Sequence, residues 1–364
     1  QLDRNEYGRQ ALKGFGQGCT LSHRIDQKRV PPGMSFLRLI FFRLIALTLA
    51  AFCTVASAKD SLLIYTAVEP EYLAVYKQAF EKQNPDLEIV YIRDSAGPIS
   101  ARLIAEKNHP KADVIFGLSA IALEKLHQIG LLEPYRPQNA DLINPKMRSQ
   151  DFAWFGMNAW GGSICVNTDL LQKRGLPIPR SWEDLLDPIY EGQIVMPSPF
   201  SSSTGFMFLL GWIQGMGEEK GWDYVEKLHR NILFYTPSGA RPAAMAAQGE
   251  IPIALTSEAF VKPFMRFKIP VTSIEPESGI AWDAEGCAMP RGTPHPENAK
   301  RFLDFCASKE VGDVAATFSG ISAIDRYSTE AGQKIAERFI ALDFRRAADE
   351  RQRMIERWQK ISTR

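Results

Sequence analysis

The sequence has few of the residues from which catalytic and metal sites are built. Only 5 of its 364 residues are histidine, and no two of them have the H-E-x-x-H spacing of a zinc site. It also contains no GKS or GKT phosphate loop, no G-x-G-x-x-G motif and no G-x-S-x-G motif. These absences argue against metalloproteases, nucleotide enzymes and serine hydrolases. We therefore expect no catalytic residue, no bound metal and no cofactor.

An excess of charge of one sign is lacking as well. The chain has 43 Lys and Arg against 42 Asp and Glu, and its formal net charge is +1. Without residues 1–58 the balance is 35 against 39, a formal charge of −4. Nothing in this balance indicates binding to nucleic acid or to an anionic membrane surface.

Cysteine is also scarce, and the chain after residue 58 has an odd number of them. Cys165, Cys287 and Cys306 stand in this part, the first two in strand-like apolar settings. This pattern predicts buried free thiols rather than a disulfide framework.

The apolar run near the N-terminus has the features of a signal peptide. After Met34, Arg38 and Arg43 are followed by 13 uncharged residues, 44–56, and by an A-x-A site at 56–58. This run is too short to span a bilayer as a stable anchor. We therefore predict cleavage after Ala58 and export to the periplasm, and residues 1–33 are left out of the fold prediction.

The following 70 residues alternate between strand and helix patterns. Strands are predicted at 61–66, 87–92 and 113–116, each followed by a helix with apolar residues at spacings of three and four. Such alternation is typical of a parallel sheet with right-handed crossovers. Ligands of open parallel sheets bind beyond the carboxyl ends of the strands, so the loops at these ends should converge.

The length of the processed chain, 306 residues, suits two α/β lobes. Two segments are interpreted as crossings between the lobes. One is the aromatic, glycine-rich segment 152–168, and the other is the segment 279–289. We expect residues 59–160 and 275–325 to form one lobe. Residues 161–274 and 326–364, with C-terminal helices, should form the other.

A run of hydroxyl residues precedes an apolar helix pattern at 206–213. Ser201, Ser202, Ser203, Thr204 and Gly205 follow a short β-branched segment. Hydroxyl groups and free N–H groups at the start of a helix, where its dipole is positive, favour anion binding. Helix capping alone explains one such serine, but four hydroxyl residues in succession exceed what a cap requires.

Small polar loops of this kind recur at 66–69, 95–97, 117–119, 201–205 and 238–241. Five of them over two lobes predict a cleft that holds a compact anion from both sides. Arg241 could supply a bidentate fork to the anion or form a surface salt bridge. The acids Glu69, Glu258, Asp283 and Glu285 could hold a ligand cation, or could cap helices and balance arginines.

Six motifs stand out along the chain: YTAVEPE (65–71), RDSAGPISARLIAEK (93–107), ADVIFGLSA (112–120), MPSPFSSSTGF (196–206), YTPSGARPAAMAAQGE (235–250) and DFRRAADERQRMIERW (343–358). Together they resemble periplasmic solute-binding proteins of ABC transporters, in particular the 2-aminoethylphosphonate-binding group of the ferric-iron-binding-like family. The resemblance implies an α/β type II binding-protein fold, with two lobes that have mostly parallel sheets and are joined by two hinge crossings. It also implies delivery of the ligand to a membrane permease.

The resemblance also bears on the ligand. Iron-binding relatives use a paired tyrosine motif, and this sequence has no adjacent tyrosines. After YTPSG, the side chains of residues 241–244 are less bulky than is usual in the aminoethylphosphonate-binding group. The segment TSEAF at 256–260 also departs from the aromatic-acid pattern of that group. A phosphate ester such as a sugar phosphate therefore remains an alternative to the phosphonate. A ferric ion is a further alternative, and a secreted enzyme is the least favoured reading.

We thus predict a monomeric binding protein for a small anion such as 2-aminoethylphosphonate. Residues 201–205 would hold the phosphonyl oxygens, and Asp283 or Glu258 would pair with the amine. The candidate ligand-binding residues are Thr66, Glu69, Ser95, Gly97, Ser119, Ser201, Ser202, Ser203, Thr204, Gly205, Ser238, Gly239, Arg241, Glu258 and Asp283.

Overall fold

A computed structural model describes residues 59–363 of the chain. The predicted signal peptide and its cleavage site lie outside the described residues. Within them the strands are β1 Asp60–Thr66, β2 Leu87–Arg93, β3 Val114–Ser119, β4 Leu132–Glu133, β5 Trp154–Asn167, β6 Ile194–Pro197, β7 Ile232–Thr236, β8 Ile253–Ser257, β9 Val271–Ile274 and β10 Trp282–Pro290.

Most helices of the described residues follow a strand in the first three quarters of the chain. The helices of this described part are α1 Pro70–Gln83, α2 Ala96–Ala105, α3 Ala120–Gln128, α4 Thr168–Arg174, α5 Ser203–Met216, α6 Glu218–His229, α7 Arg241–Ala247, α8 Glu258–Arg266, α9 Pro296–Cys306, α10 Lys309–Phe318, α11 Glu330–Ala336 and α12 Phe344–Ser362. None of the helices in residues 59–363 combines the length and apolar character needed to cross a membrane.

The sheet has parallel strands at its two ends and antiparallel strands in its middle. Its order is β2-β1-β3-β10-β5-β8-β6-β7, with β4 beside β10 and β9 beside β5. Strands β1, β2 and β3 pair in parallel, as do β6, β7 and β8, whereas β10 and β5 pair antiparallel with their neighbours. We call the part built on β1, β2, β3 and β10 the first lobe, and the part built on β6, β7, β8 and β9 the second lobe.

Strand β5 belongs to both lobes. Its residues up to Gly161 pair with β10, and its residues from Gly162 pair with β8 and β9. All of its residues are buried, which explains why its sequence has no charge and no proline. A Cβ on Gly162 would lie 2.6 Å from Cε1 of Phe208, so a larger residue does not fit where the strand changes partners.

Each lobe has a cluster of packed aromatic rings in its core. In the first lobe Phe116 packs edge-on against Tyr76 and Phe302, at ring-centroid distances of 5.0 and 5.2 Å. In the second lobe Phe208 stacks on Trp212 at 5.6 Å. The predicted free thiols are confirmed, because Cys165, Cys287 and Cys306 are all unpaired and buried.

The C-terminal helix α12 contacts both lobes. Near its start the carbonyl of Arg345 accepts a hydrogen bond from Gln128 of α3 at 3.1 Å. Near its end Trp358 packs edge-on against Tyr235 of β7 at 5.0 Å. The helix therefore stabilises elements of both lobes.

We predict that Trp358→Ala lowers the free energy of unfolding by about 3–5 kcal/mol, the usual cost of truncating a large buried aromatic residue. Trp358 is only 6% exposed. Urea unfolding followed by circular dichroism would measure the change. The exposed Lys360→Ala on the same helix is the matched control and should change stability by less than about 0.5 kcal/mol. A loss below about 1 kcal/mol for Trp358→Ala would mean that α12 is not anchored through this residue.

Candidate functional site

A small cavity lies between the two lobes, at the carboxyl ends of the parallel strands. Its volume is about 50 Å³. It is lined by Ala67, Glu69, Arg93, Ser95, Ala96, Gly117, Ser119, Trp160, Ser202, Ser203, Thr204, Ser238, Gly239, Phe260, Glu285 and Phe318. A wider open depression of about 860 Å³ lies on the second lobe, but none of the candidate residues lines it.

All five of the small polar loops contribute to the cavity lining. The loops after β1 and β2 and the last residues of β3 reach it from the first lobe, and the loops after β6 and β7 reach it from the second. The structure thus brings together eight of the candidate residues. These are Glu69, Ser95, Ser119, Ser202, Ser203, Thr204, Ser238 and Gly239.

The start of α5 forms the wall on the second lobe. Ser202 is its N-cap, and its hydroxyl accepts a hydrogen bond from the Gly205 N–H at 3.4 Å. Thr204 packs against the next loop so closely that a Cβ on Gly239 would lie 2.1 Å from its Oγ1. The first turn of this 14-residue helix therefore presents backbone N–H groups and a second serine, Ser203, to the cavity.

The start of α2 forms the facing wall on the first lobe. Ser95 is its N-cap residue, and the hydroxyl makes no capping hydrogen bond, which leaves it free for a ligand. Gly97 lies against the second lobe, because a Cβ at this position would be 3.2 Å from the carbonyl oxygen of Ser201. The two helix starts thus approach each other across the cavity.

The cavity also contains one basic and two acidic side chains. Arg93 donates from Nη2 to Glu69 Oε2 at 2.5 Å and from Nε to the Val68 carbonyl at 3.3 Å. Burial raises the pKa of Glu69, and the charge of Arg93 partly offsets this effect. Glu285 accepts a hydrogen bond from Asn158 Nδ2 at 2.9 Å, and burial raises its pKa to about 7.

Aromatic rings form the remaining wall. Trp160 comes from β5, Phe260 from α8 and Phe318 from the end of α10. The rings of Phe260 and Phe318 meet edge-on at 6.0 Å. Such rings exclude water, which strengthens the electrostatic interactions of the polar groups opposite them.

Asp283 and Glu258, expected to hold the amine, do not line the cavity. Asp283 is fully buried beside Ser119 and the first N–H groups of α3; burial raises its pKa to about 7, and these donors act in the opposite direction. Glu258 is 1% exposed and accepts a hydrogen bond from the Gly161 N–H at 3.1 Å. Burial likewise raises its pKa to about 7. Their carboxylates face the protein interior; of the four acids named from the sequence, Glu69 and Glu285 line the cavity.

The other candidates outside the lining support the loops or face solvent. The hydroxyl of Thr66 accepts from the Val68 N–H at 3.1 Å, and that of Ser201 donates to the Pro237 carbonyl at 2.9 Å. Gly205 packs on the end of β6, where a Cβ would lie 2.5 Å from the Pro197 carbonyl oxygen. Arg241 is exposed and lies 4.0 Å from Glu250, so the surface salt bridge describes it better than the anion fork.

Arg93, Trp160, Phe260 and Phe318 line the cavity although the sequence reasoning did not select them. Arg93 is the last residue of β2 and directly precedes the Ser95 loop. The strand-end rule that selected Ser95 could therefore have found it. No local signal marks Phe318, which reaches the cavity only through the packing of α10.

Comparison with known proteins places the chain among binding proteins. The family described as bacterial extracellular solute-binding protein matches residues 109–348. The periplasmic binding protein AfuA of Actinobacillus pleuropneumoniae, solved with exogenous fructose-6-phosphate bound, is 30% identical, with a TM-score of 0.78 over 84% of this chain and 99% of that chain.

Two further likenesses agree. The periplasmic binding protein P5PA is 27% identical, with a TM-score of 0.76 over 83% of this chain and 99% of that chain. A Salmonella typhimurium periplasmic protein proposed to bind 2-aminoethylphosphonate is 24% identical over 243 residues, which cover 62% of this chain and 66% of that protein. The resemblance found in the sequence motifs is thereby confirmed. The chain belongs to the family of bacterial extracellular solute-binding proteins and has the type II fold of the periplasmic solute-binding components of ABC importers.

Proposed function

We propose that the inter-lobe cavity captures a small organophosphonate such as 2-aminoethylphosphonate for delivery to the permease. The observation that carries this proposal is the convergence of five polar strand-to-helix loops on one cavity, with hydroxyl groups and helix starts on both sides. The lobes would comprise residues 59–160 with 275–325, and 161–274 with 326–364. Their closure would enclose the ligand.

The phosphonyl group would lie between the starts of α5 and α2. Ser202, Ser203 and Thr204 would approach it from the second lobe, and Ser95 with Arg93 from the first. The start of α3 is less suited to this role, because the Asp283 carboxyl already lies there. The ligand anion is therefore expected at α5 and α2.

The amine of the ligand would lie beside Glu285. Of the two acids that line the cavity among the described residues, Glu69 already pairs with Arg93 at 2.5 Å, whereas Glu285 is oriented by Asn158. A ligand with one anionic and one cationic end fits an arrangement in which Glu285 is the acid not paired with Arg93.

The energies are sufficient for such capture without catalysis. Micromolar affinity requires about 8 kcal/mol, and each hydrogen bond to a charged group contributes about 1.5–3 kcal/mol. Four to six such contacts, roughly, reach this value after the cost of ordering the ligand.

A sugar phosphate is the second candidate. It is supported by the likeness to AfuA, which carries fructose-6-phosphate, and by the aromatic wall, on which a sugar ring could pack. The volume of about 50 Å³, room for roughly three to five water molecules, favours the more compact phosphonate in this conformation.

Titration calorimetry of the protein purified from the periplasm would distinguish these ligands. We expect micromolar or tighter binding of 2-aminoethylphosphonate and weaker binding of fructose-6-phosphate and inorganic phosphate. Tighter binding of the sugar phosphate would establish the second candidate instead. Binding of ferric ion alone would refute both, and it would be unexpected because no tyrosine within residues 59–363 lines the cavity.

We predict that Arg93→Gln weakens binding of 2-aminoethylphosphonate by about tenfold to a hundredfold. The reason is the loss of a charge-assisted hydrogen bond worth about 1.5–3 kcal/mol. Arg241→Gln is the matched control, because Arg241 is exposed and outside the cavity, and it should leave the dissociation constant unchanged. The reverse ranking of the two variants would place the anion at the start of α7 rather than between α2 and α5.

Affinity for the amine-bearing ligand should rise with pH. The pKa of Glu285 is raised to about 7, so its carboxyl is mostly neutral at pH 6 and mostly charged at pH 8. Only the charged form attracts the ammonium group, and the predicted gain in affinity between these values is about tenfold. Calorimetry at both pH values would measure it.

Methylphosphonate, which has no amine, is the control for titration of the phosphonyl group itself. It should show a smaller gain between pH 6 and pH 8. Glu285→Gln should remove the difference between the two ligands. An unchanged difference in this variant would assign the amine to another residue.

A further inference from the structure

Two cations of the second lobe reach the end of a helix in the first lobe. Lys262 of α8 donates from Nζ to the Ser319 carbonyl at 2.8 Å, and Arg266 donates from Nη2 to the Thr317 carbonyl at 3.5 Å. Helix α10 belongs to the first lobe, because its Phe318 packs edge-on against Tyr72 of α1 at 5.0 Å. These hydrogen bonds therefore connect the two lobes directly, in addition to the strands that cross between them.

The acceptors are carbonyls at the C-terminal end of α10. Ser319 is the C-cap residue of this helix. Carbonyl groups in the last turn lack a partner within the helix, and the helix dipole makes this end negative. A lysine and an arginine are therefore well placed here.

The same contact forms part of the cavity wall. Phe260 of α8 and Phe318 of α10 lie beside these hydrogen bonds, and both rings line the cavity. Separation of α8 from α10 would part the two rings and open the cavity on this side.

Lys262 is also linked to the crossing strand. Its Nζ lies 3.8 Å from Oε1 of Glu258. The other carboxylate oxygen of Glu258 accepts hydrogen bonds from the Gly161 N–H and the Ser257 hydroxyl, both at 3.1 Å. Gly161 is the last residue of β5 that pairs with β10 before the strand turns to β8. The Lys262 ammonium group thus lies between Glu258, at the start of α8, and the C-terminal end of α10.

We propose that Lys262 and Arg266 form an inter-lobe clasp that holds the cavity closed and slows ligand release. The clasp is defined by these two side chains and the carbonyls of Ser319 and Thr317. Its effect on release rests on the proposed function, but its effect on the ligand-free protein does not.

Stopped-flow measurement with 2-aminoethylphosphonate tests the clasp on the periplasmic protein. Lys262→Met should raise the dissociation rate by about tenfold, as expected for a lost charge-assisted hydrogen bond, and should not slow association. Lys262→Arg should restore slow release. Lys220→Met, on the exposed part of α6, is the matched control and should change neither rate. A rise in dissociation rate that Lys262→Arg does not reverse, or an unchanged dissociation rate in Lys262→Met, would overturn the proposal.

Small-angle X-ray scattering of the ligand-free protein separates the clasp from the choice of ligand. Lys262→Met should increase the radius of gyration relative to the unsubstituted protein and to Lys220→Met. Arg266→Met, at a more exposed site, should act in the same direction and serves if the lysine variant folds poorly. Unchanged scattering in both clasp variants refutes the clasp. Absence of 2-aminoethylphosphonate binding together with expanded clasp variants refutes only the ligand assignment.

Discussion

The backbone pairing of β5 is the constraint on which the rest of the structure depends. This strand is buried along its whole length and forms one antiparallel ladder with β10 and another with β8 and β9. Breaking either ladder would leave unpaired N–H and C=O groups in an apolar interior, which is costly. The register of the two lobes on β5 therefore fixes where the carboxyl ends of β1, β2, β3, β6 and β7 meet. The change from one ladder to the other falls between Gly161 and Gly162.

The electrostatics of the cavity depend on which groups face the free N–H groups at each helix start. The start of α3 already faces a carboxyl group of the chain itself, that of Asp283. The starts of α2 and α5 face the cavity with hydroxyl groups, those of Ser95, Ser202 and Ser203. Glu285 lies two residues after Asp283 on the same face of β10 and reaches the cavity lining. Strand β10 thus carries one carboxyl group that faces the protein interior and a second one that faces the cleft.

Local sequence patterns predicted the loops better than the individual side chains. Alternation of strands and helices determines which end of a parallel strand carries the polar loop, and Ser95, Ser119 and Ser202 were found in this way. Arg241 was selected from its loop, but it begins α7, and the sequence did not show which side of that helix faces solvent. The sequence could not separate Asp283 from Glu285, because both lie on the same face of β10 and only the long-range packing around each one decides which of them lines the cavity. Phe318 could not be found from local patterns, since only long-range packing brings it beside Phe260.

The three buried thiols give the fold an internal chemical reporter. Cys165 lies in β5, is fully buried, and has a pKa raised to about 12 by burial, so it is nearly inert towards alkylating reagents in the native state. Modification of this thiol requires local displacement of the side chains that cover it, which include Ala243, Ala246 and Val261. The rate at which an iodoacetamide reagent labels Cys165 therefore measures how often this cover over the strand common to both lobes opens, without any introduced probe.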